Sequence, residues 1–310
     1  MGRNLSSAIS GSEVLVPIKH FNGTKFGNGN VEYFYLSGTF IVPTGVTTAR
    51  VRVFGAGAGG SRHTSSGDAS GGAGGGFAIK TITGLTSGQS ISVTVGVGGL
   101  SATTDNTNGG VGGTSSFGAY VSATGGQGGC VWNGSIYETR NGGTGVGGDI
   151  NITGGDSVAV GGPFGGSGGS GGGNIFGKGS NNVSDSGGLS GTSGSGGSYV
   201  QYVGVTPNGG SGLSYLASSG GREESTYSVI GLPPFAIFGD SLPLDYIGTG
   251  CGGNGYNYGK LPTNGINGGG GGGGWATGGQ GGFPSGGAGG CVGSVVRQSK
   301  GGNGLVIIEY

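Results

Sequence analysis

Leu305-Val306-Ile307-Ile308-Glu309-Tyr310 closes the chain with four aliphatic residues in succession, a run that reads as a buried strand. So apolar a segment needs a sheet to join. The clearest strands upstream lie within residues 31–125. Thr48–Phe54 (TARVRVF) alternates strictly, setting Val51 and Val53 on one face and Arg50 and Arg52 on the other. Residues 77–82, residues 90–95 (SISVTV) and residues 116–123 continue the pattern, with a turn at 84–88. Residues 305–310 are therefore expected to return to that sheet and to enclose the glycine-rich middle as a long insertion. No stretch shows a 3.6-residue apolar period, so essentially no α-helix is expected.

Between those strands the chain is dominated by glycine, 90 of 310 residues, against about 7% in average usage. Such a composition without a strict triplet usually signals disorder. Two features oppose this. Charge is low and balanced, with 13 Lys+Arg and 13 Asp+Glu, and the remaining residues cluster in strand-length apolar runs. Ordered glycine brings no side chain to bury and loses more backbone freedom than any other residue. The backbone itself must then supply the contacts. A polyglycine II helix does so, with about three residues per turn and no internal hydrogen bonds, when several lie side by side and bond laterally. Candidate tracts are 71–76, 161–173, 187–197, 268–274 and 278–290.

The predicted fold class is all-β: a β-sandwich-like base carrying bundled polyglycine II helices. The expected domains are an attachment arm or cap at 1–30, a base at 31–125 plus 301–310, and a bundle with variable loops at 126–300.

The charge balance leaves no basic excess for nucleic acid. No apolar run reaches the length of a membrane span, and residues 1–20 lack the apolar core of a signal peptide. Met1-Gly2-Arg3-Asn4-Leu5-Ser6 fits the short, loose myristoylation pattern. Cys130, Cys251 and Cys291 are far apart and lack metal-ligand spacing, so neither a disulfide framework nor a zinc site is expected.

Several motifs imitate chemistry. Gly55-Ala56-Gly57-Ala58-Gly59-Gly60 follows a strand and fits G-x-G-x-x-G. A dinucleotide site needs a helix next and an acidic residue about 20 positions on, and neither is present. Gly177-Lys178-Gly179-Ser180 breaks the order of a phosphate loop. His20 and His63 are the only histidines, and Glu223-Glu224 the only adjacent acidic pair. None forms a catalytic constellation, so no enzyme activity and no cofactor are expected.

The order GTFIVPTGVTTARVRVFGAGAGG, then GGAGGGFAIKTITGLTSGQSISVTVGVGG, then GGTSSFGAYVSATGGQGG, then GGNGLVIIEY resembles the glycine-rich domain of tail-fibre and tail-tip proteins of tailed bacteriophages. In composition and alternation the middle is similar to the polyglycine-helix tip adhesins of T-even-like phages. The resemblance implies a virion tail protein that binds the host surface through loops on a rigid scaffold. Its partners would be a bacterial saccharide or outer-membrane protein and other tail proteins. Analogy with fibres suggests a homotrimer, with a monomeric tip on a trimeric shaft as the alternative. The competing expectation is a structural virion part whose loops contact neighbouring subunits. Candidate receptor-binding residues are the aromatics of the non-glycine excursions, whose amphipathic rings suit saccharide and protein contacts. They are Trp132, Tyr137, Tyr227, Phe235, Phe238, Tyr246, Tyr256, Tyr258 and Trp275.

Overall fold

The computed structural model describes residues 26–63, 69–131, 138–158, 165–181, 200–201, 244, 247–248, 264–265, 267–274, 278–292 and 299–310. Sixteen strands occur among them. They are β1 (Val31–Phe34), β2 (Gly38–Ile41), β3 (Thr48–Phe54), β4 (Arg62–His63), β5 (Phe77–Thr83), β6 (Ser90–Thr94), β7 (Ser115–Phe117) and β8 (Val121–Ala123), followed by β9 (Thr139–Arg140), β10 (Gly145–Val146), β11 (Ile150–Ile152), β12 (Ser157–Val158), β13 (Gly165–Gly166), β14 (Val200–Gln201), β15 (Cys291–Val292) and β16 (Leu305–Glu309). No α-helix occurs among the described residues.

Two five-stranded antiparallel sheets, β1-β16-β3-β5-β11 and β10-β8-β7-β6-β2, form a sandwich. The closing strand β16 is not at an edge. It lies between β1 and β3, pairing Leu305 with Phe54 and Glu309 with Arg50. Its unbroken aliphatic run follows from burial on both faces. Val306 and Ile308 join Phe40, Val51, Val53, Ile91, Val93 and Phe117 between the sheets. Leu305 and Ile307 face the other way and meet Phe54, Phe77 and Ile247. The alternation of β3 acts likewise, for Arg50 and Arg52 lie on the outer face and close on Glu309. Arg50 donates to it through Nε at 2.9 Å and Nη2 at 2.5 Å, and Arg52 through Nε at 2.9 Å. Residues 31–41 divide between β1 and β2, which lie in different sheets. Residues 116–123 form a hairpin rather than one strand, because the chain turns at Gly118 (φ 51°).

Glycine tracts leave and re-enter the sandwich at a single end, the end where Phe54 pairs with Phe77 and with Leu305. Residues 55–62 form the hub. Their N–H groups take neighbours in rotation, three residues apart. Gly55, Ala58 and Ser61 donate to the carbonyls of Gly76, Ala73 and Ser70, while Ala56, Gly59 and Arg62 donate to those of Gly113, Gly110 and Thr107. Gly57 donates to Gly302. On the accepting side, Gly126 and Gly129 donate to Ala56 and Gly59, Gly99 and Ala102 to Gly57 and Gly60, and Ala288 and Cys291 to Ala58 and Ser61. Six tracts thus surround one, five of them met again three residues on, which is the lateral bonding of a polyglycine II bundle. Residues 69–76 and 285–291 repeat the arrangement within the same lattice. Glycine tracts on both sides of residue 126 belong to it. Residues 278–290 contribute two runs, separated by a turn at Phe283-Pro284 and bonded to each other through Gly286 to Gly282 and Gly289 to Gly279.

Close approach explains the glycine. A Cβ on Gly59 would overlap the Leu100 carbonyl, and one on Gly74 the Gly171 carbonyl. Buried serines complete the network where backbone register is lost. Ser101 Oγ accepts from Gly60 N–H at 2.9 Å, Ser167 Oγ from Gly71 at 3.0 Å, and Ser285 Oγ donates to the Gly55 carbonyl at 2.6 Å.

Candidate functional site: the distal tip of the bundle

The hub tract leaves β3 at Gly55 and ends at Arg62, eight residues that span about 25 Å at roughly 3.1 Å per residue. This sets a tip at the far end from the sandwich. Here β4 pairs with β15 in parallel, Ala69 bridges Val131, Gly274 bridges Cys291, and Ser101 N–H donates to the Ser299 carbonyl. β12 pairs with β9 close by, and Ser167, just after β13, donates to Ala69. The described residues flanking segments 64–68, 132–137, 159–164, 275–277 and 293–298 therefore converge on one end of the molecule. Phe26, Asn30 and Tyr310 lie at the opposite end, where Asn30 and Tyr310 exchange backbone hydrogen bonds and Phe26 faces Arg50 with its ring 4.8 Å from the guanidinium carbon.

Charge gathers at the tip. Arg62 Nε lies 2.9 Å from Asp105 Oδ1, and Arg62 Nη1 also donates to the Thr103 carbonyl. The turn that presents Asp105 is fixed by Asn106 at φ 56° and by Thr107 Oγ1 donating to the Thr104 carbonyl at 2.5 Å. Glu138 and Arg140 pair at 2.7 Å. Beneath this rim sit two free, buried thiols, Cys130 and Cys291. Burial pushes the Cys291 thiol up to about 11, with the Arg62 charge opposing and Asp105 assisting. The thiol is thereby held protonated and poorly nucleophilic at neutral pH. No cluster of metal-ligating residues occurs among the described residues, and no helix there is long and apolar enough to cross a membrane.

All nine candidate aromatics lie outside the described residues, but the residues beside them are placed. Val131 and Glu138 flank the segment with Trp132 and Tyr137, and Gly274 and Gly278 flank the one with Trp275. All four are at the tip. Described residues within the excursion 222–249, by contrast, belong to the base. Ile247 is fully buried against the outer face of the sheet holding Phe54 and Phe77, and Leu244 packs beside it. Gly55-Ala56-Gly57-Ala58-Gly59-Gly60 continues as the bundle hub instead of opening an α-helix.

Missing from the sequence reading was a local X-Gly-Gly triplet. It runs through Asn108, Val111 and Thr114, through Thr124, Gln127 and Cys130, and through Ser285, Ala288 and Cys291. The triplet has the period of the helix. In outer tracts X is an exposed Val97, Leu100, Asn108, Val111 or Gln127, and in inner tracts a buried Ser70, Ala73, Ser170 or Ala288. Scoring each tract separately, and not the chain as a whole, would have found it.

No curated protein matches the chain. The family model described as a glycine-rich domain matches residues 35–310, and the chain belongs to that family.

Proposed function

We propose that this protein is a tail-fibre or tail-tip component of a tailed bacteriophage and that it binds the surface of the host bacterium. It acts as a binding protein in the virion, not as a catalyst. The observation that carries the reading is polarity. The described residues flanking segments 64–68, 132–137, 159–164, 275–277 and 293–298 converge on one tip of a laterally bonded glycine bundle, while the residues nearest the N-terminal arm sit at the other end of the sandwich. Loops on a rigid scaffold are where binding residues concentrate. In this reading the tip meets a saccharide or an outer-membrane protein of the host, and the base meets other tail proteins.

The same polarity selects the residues to test. Trp132 and Trp275 belong to segments whose ends are at the tip, whereas the described neighbours of Tyr246 pack on the base. Purified protein is expected to bind whole cells of its host, and the variant W132A/W275A to bind at least tenfold more weakly with its melting temperature unchanged. A wild-type protein that assembles into particles yet binds no cells of the host would overturn the reading in favour of a structural virion part.

A further inference from the structure

On one outer face of the glycine lattice, three exposed aliphatic residues carry N–H groups without an acceptor among the described residues. In the hub tract 55–62, N–H and carbonyl groups are met in every lateral direction. The outer tracts 96–101 and 107–114 bond to the hub, to each other and to the tracts beside them, residues 299–304 and 126–129. Gly110 donates to Leu100 and Gly113 to Val97, while Gly109 and Gly112 donate to Gly129 and Gly126, and Gly99 donates to Gly57. The N–H groups of Val97, Leu100 and Val111 donate to no acceptor among the described residues. They recur at the lattice period on two adjacent straight tracts. A row of unmet donors on a straight backbone is a template for another chain, as at the edge of a sheet.

The residues that carry those donors are also the bulky ones. Val97 is 67% exposed, Leu100 55% and Val111 67%. Wherever a tract is enclosed on all sides, the corresponding triplet position holds a small residue. Ala73 donates to Gln127, Ala288 to Ala58 and Ser170 to Gly72, and all three are buried. Small side chains are thus compatible with a further tract docking laterally. Branched ones stand out by more than the space between two tracts allows.

We propose that this face is a docking edge for a glycine tract from a second copy of this chain, and that Val97, Leu100 and Val111 keep it closed. The occupant follows from continuity, because the lattice already extends to this row and the chain itself is the source of tracts that fit it. Aliphatic side chains exposed together would ordinarily mark a greasy contact surface. The closed-edge assignment makes the opposite prediction when they are trimmed, since removal of apolar area weakens a greasy contact but opens the lattice.

The experiment compares wild type, V97A/L100A/V111A, the corresponding triple glycine variant, and V97T/V111T, which keeps side-chain bulk but adds hydroxyls. Weight-average mass is measured by sedimentation equilibrium over a hundredfold range of concentration. The alanine triple is expected to at least double its mass relative to wild type at the highest concentration. Amide protons at 97, 100 and 111 should gain hydrogen-exchange protection as it does so. The glycine triple is expected to associate more strongly still, and V97T/V111T to stay at the wild-type mass. An alanine or glycine triple that is folded and no heavier than wild type would overturn the assignment. So would a threonine variant that associates as the alanine variant does. The alanine triple retains every interior bond, and it supplies the answer even if the glycine triple does not fold.

Discussion

The sandwich and the bundle are parts of one chain held together by opposite means. Between the sheets Phe40, Val51, Val53, Phe117, Val306 and Ile308 pack into a shared core, and each fully buried side chain contributes about 1.5–3 kcal/mol. Within the bundle the buried side chains are mostly small, among them Ala56, Ala58, Ser61, Ser70, Ala73, Ser170 and Ala288, and offer little apolar area. There the backbone holds itself. One lateral hydrogen bond contributes about 0.5–1.5 kcal/mol net, close to the 1–2 kcal/mol cost of fixing one residue. A lattice so balanced holds only if nearly every bond is made. Carbon is what the sandwich needs and what the bundle excludes.

The comparison is tested hardest by removing carbon from the sandwich. Phe40 is fully buried and touches Phe117 and Tyr310 with ring centroids 5.8 and 5.4 Å apart. Phe40→Ala is expected to cost about 3–5 kcal/mol, measured by urea unfolding. A loss below about 1 kcal/mol would mean that the bundle, not the core, sets the stability of the whole chain.

Adding carbon to the bundle is the mirror experiment. Gly→Ala normally stabilises a protein by about 0.4–1 kcal/mol where space allows, by restricting the unfolded chain. At Gly59 the added methyl meets the backbone of Leu100 and Ser101, which cannot rotate away. Gly59→Ala is therefore expected to destabilise by about 3 kcal/mol, the upper part of the range for overpacking. Gly110, in an outer tract, serves as the control. Its nearest obstacle is the Leu100 carbonyl oxygen at 3.1 Å, and Gly110→Ala should change stability by less than about 1 kcal/mol. Equal effects at the two positions would show that crowding does not explain the glycine.

The two regions also differed in how openly the sequence displayed them. Strands betray themselves through alternation, so β3, β6 and β16 were legible from TARVRVF, SISVT and LVIIE, and so was the return of the last strand to the first sheet. The general form of the glycine region followed from what glycine lacks. Its detail did not, because the triplet breaks at every turn and restarts in a new phase. The phase runs through 97 and 100, then through 108, 111 and 114, and averages out over the chain. Likewise Gly55-Ala56-Gly57-Ala58-Gly59-Gly60 carries no mark of being central, since its six neighbours come from tracts up to about 250 residues away. The tip was illegible for the same reason. Arg62 and Asp105 meet only because two tracts run to the same end.

Completeness of bonding, as distinct from exclusion of carbon, is tested by a smaller change. Ser101 is buried, its Oγ accepts the Gly60 N–H at 2.9 Å, and it receives a second hydrogen bond from Ser299 Oγ at 2.8 Å. Ser101→Ala leaves the lattice sterically intact, because alanine already occupies interior positions such as Ala58 and Ala73. The Gly60 N–H loses its acceptor, and the Ser299 hydroxyl loses its partner. A buried N–H left without one costs about 1–3 kcal/mol, and the expected loss here is near 1–2 kcal/mol, seen together with faster amide exchange at Gly60. In the sandwich, Ser37 Oγ does the same for the Val95 N–H at 2.9 Å, but Ser37 is exposed and water can replace its hydroxyl. Ser37→Ala should therefore cost well under 1 kcal/mol. If Ser101→Ala proved equally mild, the bundle would tolerate missing bonds, and its stability would have to come from the sandwich on which it stands.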